Sequence, residues 1–131
     1  MSDNSIKFPM RTPLGRVRGL GSAKGGTHHW WMQRVTSIAL LPLTLWFVFS
    51  AASMTGQSFE ATQAWIARPF NAVLLLATIG LSFYHAAIGV QVVIEDYTRG
   101  ELVRTGGILA VKGLCWILAL VAGLAVLRIA V

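Results

Sequence analysis

His85 is an ionisable side chain inside a run, Phe70 to Ile94, that holds no Asp, Glu, Lys or Arg. A run of that length crosses a bilayer as a helix, and an imidazole at such depth costs free energy unless it is paired, ligated or facing water. Three chemistries use a residue placed this way: axial ligation of a haem iron, proton relay, and hydrogen bonding to a neighbouring helix. Gly89, one turn further along the same face, leaves room for a bulky planar group or for another backbone. Eleven residues beyond His85 the run ends in Glu95-Asp96-Tyr97. At about 100° per residue Asp96 returns to within about 20° of the His85 direction, roughly 16 Å along the axis. A tyrosine hydroxyl there can donate to a ring carbonyl oxygen, and a carboxylate can orient an arginine or pass protons. The plainer reading is that Asp96 and Tyr97 end the helix and anchor it at the membrane surface.

Two residues near the first apolar segment have similar double readings. Arg34 is a snorkelling anchor, or it meets a carboxylate such as a haem propionate or polarises a carbonyl. His28 is a surface residue, or it moves protons or meets a propionate. His29 has no distinguishing feature. No other histidine lies at membrane depth, so a six-coordinate haem on His85 takes its second axial ligand from another polypeptide. A relay calls for further acids or histidines within the spans, and none is present.

The elements that must position these groups are three membrane spans. The chain has 131 residues, 55% hydrophobic and 12% charged, against about 25% charged in soluble domains. Mean hydropathy is +0.64. The net charge of +6 sits mainly in the N-terminal arm beside a span, where it sets topology and meets anionic lipid, and no nucleic-acid recognition pattern accompanies it. The single cysteine, Cys115, excludes an internal disulfide and a cysteine metal site. The first thirty residues lack the apolar core of a signal peptide.

The division expected is a basic cytoplasmic arm over 1–29 and a three-helix anchor domain over 30–131, with spans at about 30–54, 69–95 and 106–130. Trp30 and Trp31 suit an interfacial belt, and Pro42 removes the hydrogen bond to the Ile38 carbonyl and should kink the first span. Thr55 to Arg68 forms a short loop with room for one helical turn, Pro69 suits a first helical position, and Glu95 to Thr105 forms a second loop. Lys112 is near enough to the end of the third span to snorkel. The arm through Arg34 carries six basic residues, the first loop one and the second loop two. The arm and second loop therefore face the cytoplasm, and the C-terminus lies outside. On that topology Asp96, Tyr97, His28, His29 and Arg34 gather at one membrane face, able to line a single site.

Two stretches together resemble a known family. The first runs Gly21-Ser22-Ala23-Lys24-Gly25-Gly26-Thr27-His28-His29-Trp30-Trp31-Met32-Gln33-Arg34-Val35-Thr36-Ser37, and the second His85-Ala86-Ala87-Ile88-Gly89-Val90-Gln91-Val92-Val93-Ile94-Glu95-Asp96-Tyr97. They resemble the start of the first span and the haem-ligand segment of the succinate dehydrogenase hydrophobic membrane anchor, the D-type subunit of complex II. The resemblance covers nearly the whole chain. It implies an all-α membrane protein whose three transmembrane helices pack with a second, C-type, three-helix anchor in a haem-binding bundle. It also implies a flavoprotein and an iron–sulfur subunit as partners, haem b as shared cofactor, and ubiquinone as the electron acceptor in the respiratory chain and tricarboxylic acid cycle. The expected location is a bacterial inner membrane.

By position, the resemblance makes His85 an axial ligand of the haem iron and Tyr97 a quinone hydrogen-bond donor with Asp96 beside it. It puts Arg34 and His28 near the haem propionates and the quinone pocket. The Ser, Arg and His-Arg-x-Thr-Gly-like run of the C-type anchor is not found, which favours D over C. The C-type anchor remains the near alternative, and a small proton-linked transporter subunit or a purely structural anchor without haem the more distant ones. No dinucleotide-binding glycine pattern or cysteine cluster is present, so succinate oxidation itself is expected elsewhere in the complex.

Overall fold

The structure is a computed structural model that describes residues 12–14, 17 and 26–131. Three long helices, α1 (Gly26–Ser53), α3 (Pro69–Tyr97) and α4 (Glu101–Ala130), are each long and apolar enough to cross a membrane. A short helix, α2 (Phe59–Ile66), joins α1 to α3. At 1.5 Å per residue the long helices reach about 42–45 Å, more than the roughly 30 Å hydrocarbon core.

Each long helix outruns its apolar segment. α1 begins at Gly26 rather than near Trp30, and α4 at Glu101 rather than near Gly106. The expected loop over Glu95 to Thr105 shrinks to the link Thr98-Arg99-Gly100, because Glu95, Asp96 and Tyr97 form the last turn of α3. Hydropathy marks where the hydrocarbon ends, whereas backbone hydrogen bonding carries a helix on into the headgroup region. Glu101 in the first turn of α4 also suits the positive end of that helix. Most of the arm expected over 1–29 lies outside the described residues, and its last four positions are already helical. Pro42 lies within α1, whose helical assignment continues through it.

The far end is tied together locally. Gly56 turns the chain with φ +80°. Ser58 caps α2 by accepting from the Ala61 N–H at 3.2 Å. The Glu60 carboxyl is held below its usual range by its own backbone N–H and by the Ser58 hydroxyl. Trp46 of α1 stacks on Trp65 of α2 at 5.8 Å between ring centres. Pro69 opens α3, where its missing N–H needs no partner. The buried Asn71 then donates from Nδ2 to the Trp65 carbonyl at 2.7 Å, tying α3 back to α2.

α3 is the middle helix, packed on α1 along one side and on α4 along the other; among the described residues α1 and α4 do not pack on each other. Among the described residues the buried apolar ones, Ala72, Leu75, Ala87 and Ile88, accordingly all belong to α3. Gly107 and Gly123 of α4 face the seam with α3, where an added Cβ would make an ordinary contact 3.6 Å from Ile94 or Leu76. The outer surface is apolar, with Phe49, Phe70, Leu109 and Trp116 exposed. Hydrocarbon, unlike water, imposes no penalty on such a surface.

Asn71→Ala removes the short hydrogen bond to the Trp65 carbonyl and leaves it only the longer one from the Arg68 N–H at 3.4 Å. It is expected to destabilise the protein by about 1–3 kcal/mol, read as a lower melting temperature of the purified protein in detergent; an unchanged melting temperature would contradict this account of the α2–α3 tie.

Candidate functional site

The polar centre of the molecule lies where α1 crosses α3. On α1, Gln33 and Thr36 are three residues apart and so share a face. On α3, His85 and Gly89 are four apart and share another. The half-buried His85 ring is held from both sides by α1: Thr36 Oγ1 lies 2.8 Å from Nδ1, and Gln33 Nε2 lies 3.4 Å from Nε2. The first is a good hydrogen bond, whereas the second is longer than the usual 2.7–3.2 Å range and correspondingly weak. The Thr36 hydroxyl also approaches its own helix, 2.8 Å from the Met32 carbonyl and 3.1 Å from that of Gln33.

The space beside Gly89 is taken by a side chain. A Cβ added there would come within 3.3 Å of Gln33 Nε2, so the glycine admits the glutamine amide that meets His85.

Next to this pair a cavity of about 810 Å³ opens between α1 and α3, lined by His29, Trp30, Gln33, Arg34, Gly89, Gln91 and Glu95 among others. Arg34 stacks its guanidinium over the Trp30 ring at 4.7 Å. Gln91 donates from Nε2 to Glu95 Oε1 at 2.6 Å. Among the described residues three buried side-chain polar atoms have no hydrogen-bond partner, His29 Nε2, Gln33 Oε1 and Gln91 Oε1, and all three belong to residues that line this cavity. Each of the three is itself shielded from solvent, so the cavity takes its polar character from the Arg34 guanidinium and the exposed Glu95 carboxylate that line it.

The residues singled out in the sequence divide into those the cavity gathers and those it does not. Arg34 and His29 line it, and His85 sits behind Gln33, one of its walls. His28, Asp96 and Tyr97 are exposed and do not line it, Tyr97 being 84% exposed at the end of α3. Thr36, Gln33 and Gln91 escaped the sequence reading, although each is a polar side chain within an apolar span. Among the described residues no group of three or more His, Cys, Asp or Glu is arranged to hold a bare metal ion. An imidazole presenting one nitrogen beside a cavity suits an iron already held in a macrocycle, the donor set of a haem.

Residues 9–127 match the family described as succinate dehydrogenase/fumarate reductase transmembrane subunit. The chain belongs to this family. Its relatives include the succinate dehydrogenase hydrophobic membrane anchor subunit of Rickettsia conorii, 35% identical over 82% of this chain and 86% of the relative. That of Paracoccus denitrificans is 36% identical over 68% and 69% respectively. The succinate dehydrogenase membrane anchor subunit of Reclinomonas americana is 34% identical over 68% and 77%. The protein is thus a multi-pass hydrophobic anchor subunit of a succinate dehydrogenase complex, not its catalytic subunit.

The fit of Gln33 against Gly89 is open to test. Gly89→Ala requires the end of the Gln33 side chain to give by a few tenths of an ångström. It should stay within about 1 kcal/mol of the parent anchor. Gly89→Leu overfills the crossing and should cost about 1–3 kcal/mol, measured by thermal unfolding of the purified complex. A leucine variant as stable as the parent would contradict the close approach of α1 to α3.

Proposed function

We propose that this anchor co-ligates a haem b through His85 together with a C-type partner anchor, and that it contributes to the ubiquinone-reduction site of the complex. The observation that carries the reading is the His85 imidazole, set within an apolar span, held at Nδ1 by Thr36 and facing the cavity-lining Gln33 at Nε2. A haem b bound there supplies a one-electron store between a soluble electron donor and a membrane quinone. His85 would hold the iron. Arg34, which lines the cavity with His29, and the exposed His28 would meet the propionates or the quinone vicinity.

Tyr97 is the proposed quinone hydrogen-bond donor. Its hydroxyl stands clear of the chain at the end of α3, available to a site completed by other subunits, and Asp96 precedes it. The partners implied are the flavoprotein that oxidises succinate, an iron–sulfur subunit that passes electrons on, and the C-type anchor. The excess of basic residues before Arg34 supports an N-terminus in the cytoplasm and a C-terminus in the periplasm. Asp96, Tyr97, Arg34 and the cavity then lie toward the side from which electrons arrive.

Two substitutions in the assembled complex test the reading. His85→Ala is expected to abolish the b-type absorption bands, and an unchanged spectrum would overturn the ligand assignment. Tyr97→Phe is expected to slow succinate-dependent ubiquinone reduction by about tenfold, the worth of one hydrogen bond to a charged intermediate. Electron transfer from succinate to a soluble dye should continue in that variant, and unaltered quinone reduction would remove Tyr97 from the site.

A further inference from the structure

Among the described residues none is less exposed than Thr36, at 2%. Its hydroxyl carries one proton and two lone pairs. Two of its three close neighbours, the Met32 and Gln33 carbonyl oxygens at 2.8 and 3.1 Å, can only accept. The proton is therefore committed to the main chain of α1, in the back-bonding pattern usual for a threonine inside a helix. The third neighbour, His85 Nδ1 at 2.8 Å, must then be the donor. The reverse arrangement, with the hydroxyl donating to Nδ1, would leave Oγ1 and the Met32 oxygen 2.8 Å apart with no proton between them.

We propose that Thr36 is a positioning residue for the haem ligand. By accepting Nδ1–H it holds His85 in the tautomer whose Nε2 carries the lone pair, and it fixes the ring plane across the α1–α3 crossing. Nε2 is left with the long 3.4 Å contact to Gln33 alone, too weak to compete with an iron. This inference rests on the reading of His85 as the haem ligand. A partner at the far nitrogen of a ligating imidazole sets both its orientation and its basicity. Losing the acceptor makes the imidazole a poorer donor, which destabilises ferric iron more than ferrous and raises the haem midpoint potential.

The experiment uses the complete, membrane-extracted complex carrying Thr36→Val or Thr36→Ser. Valine keeps the branched shape and removes the acceptor, whereas serine keeps the acceptor. The valine variant should lose haem to added apomyoglobin with an apparent affinity lowered by about 10- to 100-fold, and its midpoint potential should lie above that of the parent. The serine variant should match the parent in both respects. A valine variant indistinguishable from the parent in haem retention and potential overturns the proposal. So does a serine variant as impaired as valine, which would assign the effect to the lost methyl group. His85→Ala run in parallel separates the two readings: if it keeps the b-type spectrum, haem ligation by His85 fails. If it loses the spectrum while valine behaves as the parent, only the role of Thr36 fails.

Discussion

The hydrogen bond between Thr36 Oγ1 and His85 Nδ1 is the constraint around which the bundle is arranged. In hydrocarbon, burying leucine against leucine gains little over leaving it among lipid tails, so spans associate through close packing and polar pairs. The two sides of α3 divide these means between them. Toward α4 the seam is apolar, with Gly107 and Gly123 facing Ile94 and Leu76. Toward α1 the approach is made by Thr36 and Gln33 against His85, with Gly89 giving the glutamine room. A polar bond of this kind between membrane helices is worth about 0.6 kcal/mol on average and at most about 1.7 kcal/mol. Orientation is accordingly its larger contribution. It turns a costly imidazole into a ring with one nitrogen satisfied and the other directed at Gln33, beside the cavity.

The rest of the molecule follows from serving as a membrane anchor. Its exposed apolar faces fit lipid and neighbouring subunits, and among the described residues its two buried polar side chains serve the α2–α3 tie, through Asn71, and the α1–α3 crossing, through Thr36. His29, Gln33 and Gln91 line the cavity at that crossing, each with one buried polar atom that has no hydrogen-bond partner. Tyr97 and Asp96 lie apart from it on the exposed end of α3, a placement suited to a site finished by other chains.

Much of this was legible from residue order. The charge-free run around His85 marked both a span and its unusual residue, and the paired stretches from Gly21 to Ser37 and His85 to Tyr97 pointed to the family. Helix ends were less legible, because hydropathy reports the thickness of hydrocarbon while Glu95, Asp96 and Glu101 continue the helical backbone beyond it. The partners of His85 were hidden for another reason. Helical periodicity relates Asp96 to His85 along α3, but only the crossing of α1 and α3 brings Thr36 and Gln33, 49 and 52 residues away in sequence, to the ring. A threonine and a glutamine within an apolar span are the signal that could have indicated them, since each needs a polar partner there.

The central claim is that α1 holds His85 at Nδ1 so that Nε2 is the nitrogen offered to a haem. A cryo-electron-microscopy map of the assembled complex, at a resolution that orients the ring, tests it most directly. The account predicts iron on Nε2 of His85, with Nδ1 still within hydrogen-bond distance of Thr36 Oγ1 and the Gln33 amide moved aside. Iron bound by another residue of this chain, or a His85 ring turned so that Nδ1 leaves Thr36, would contradict it.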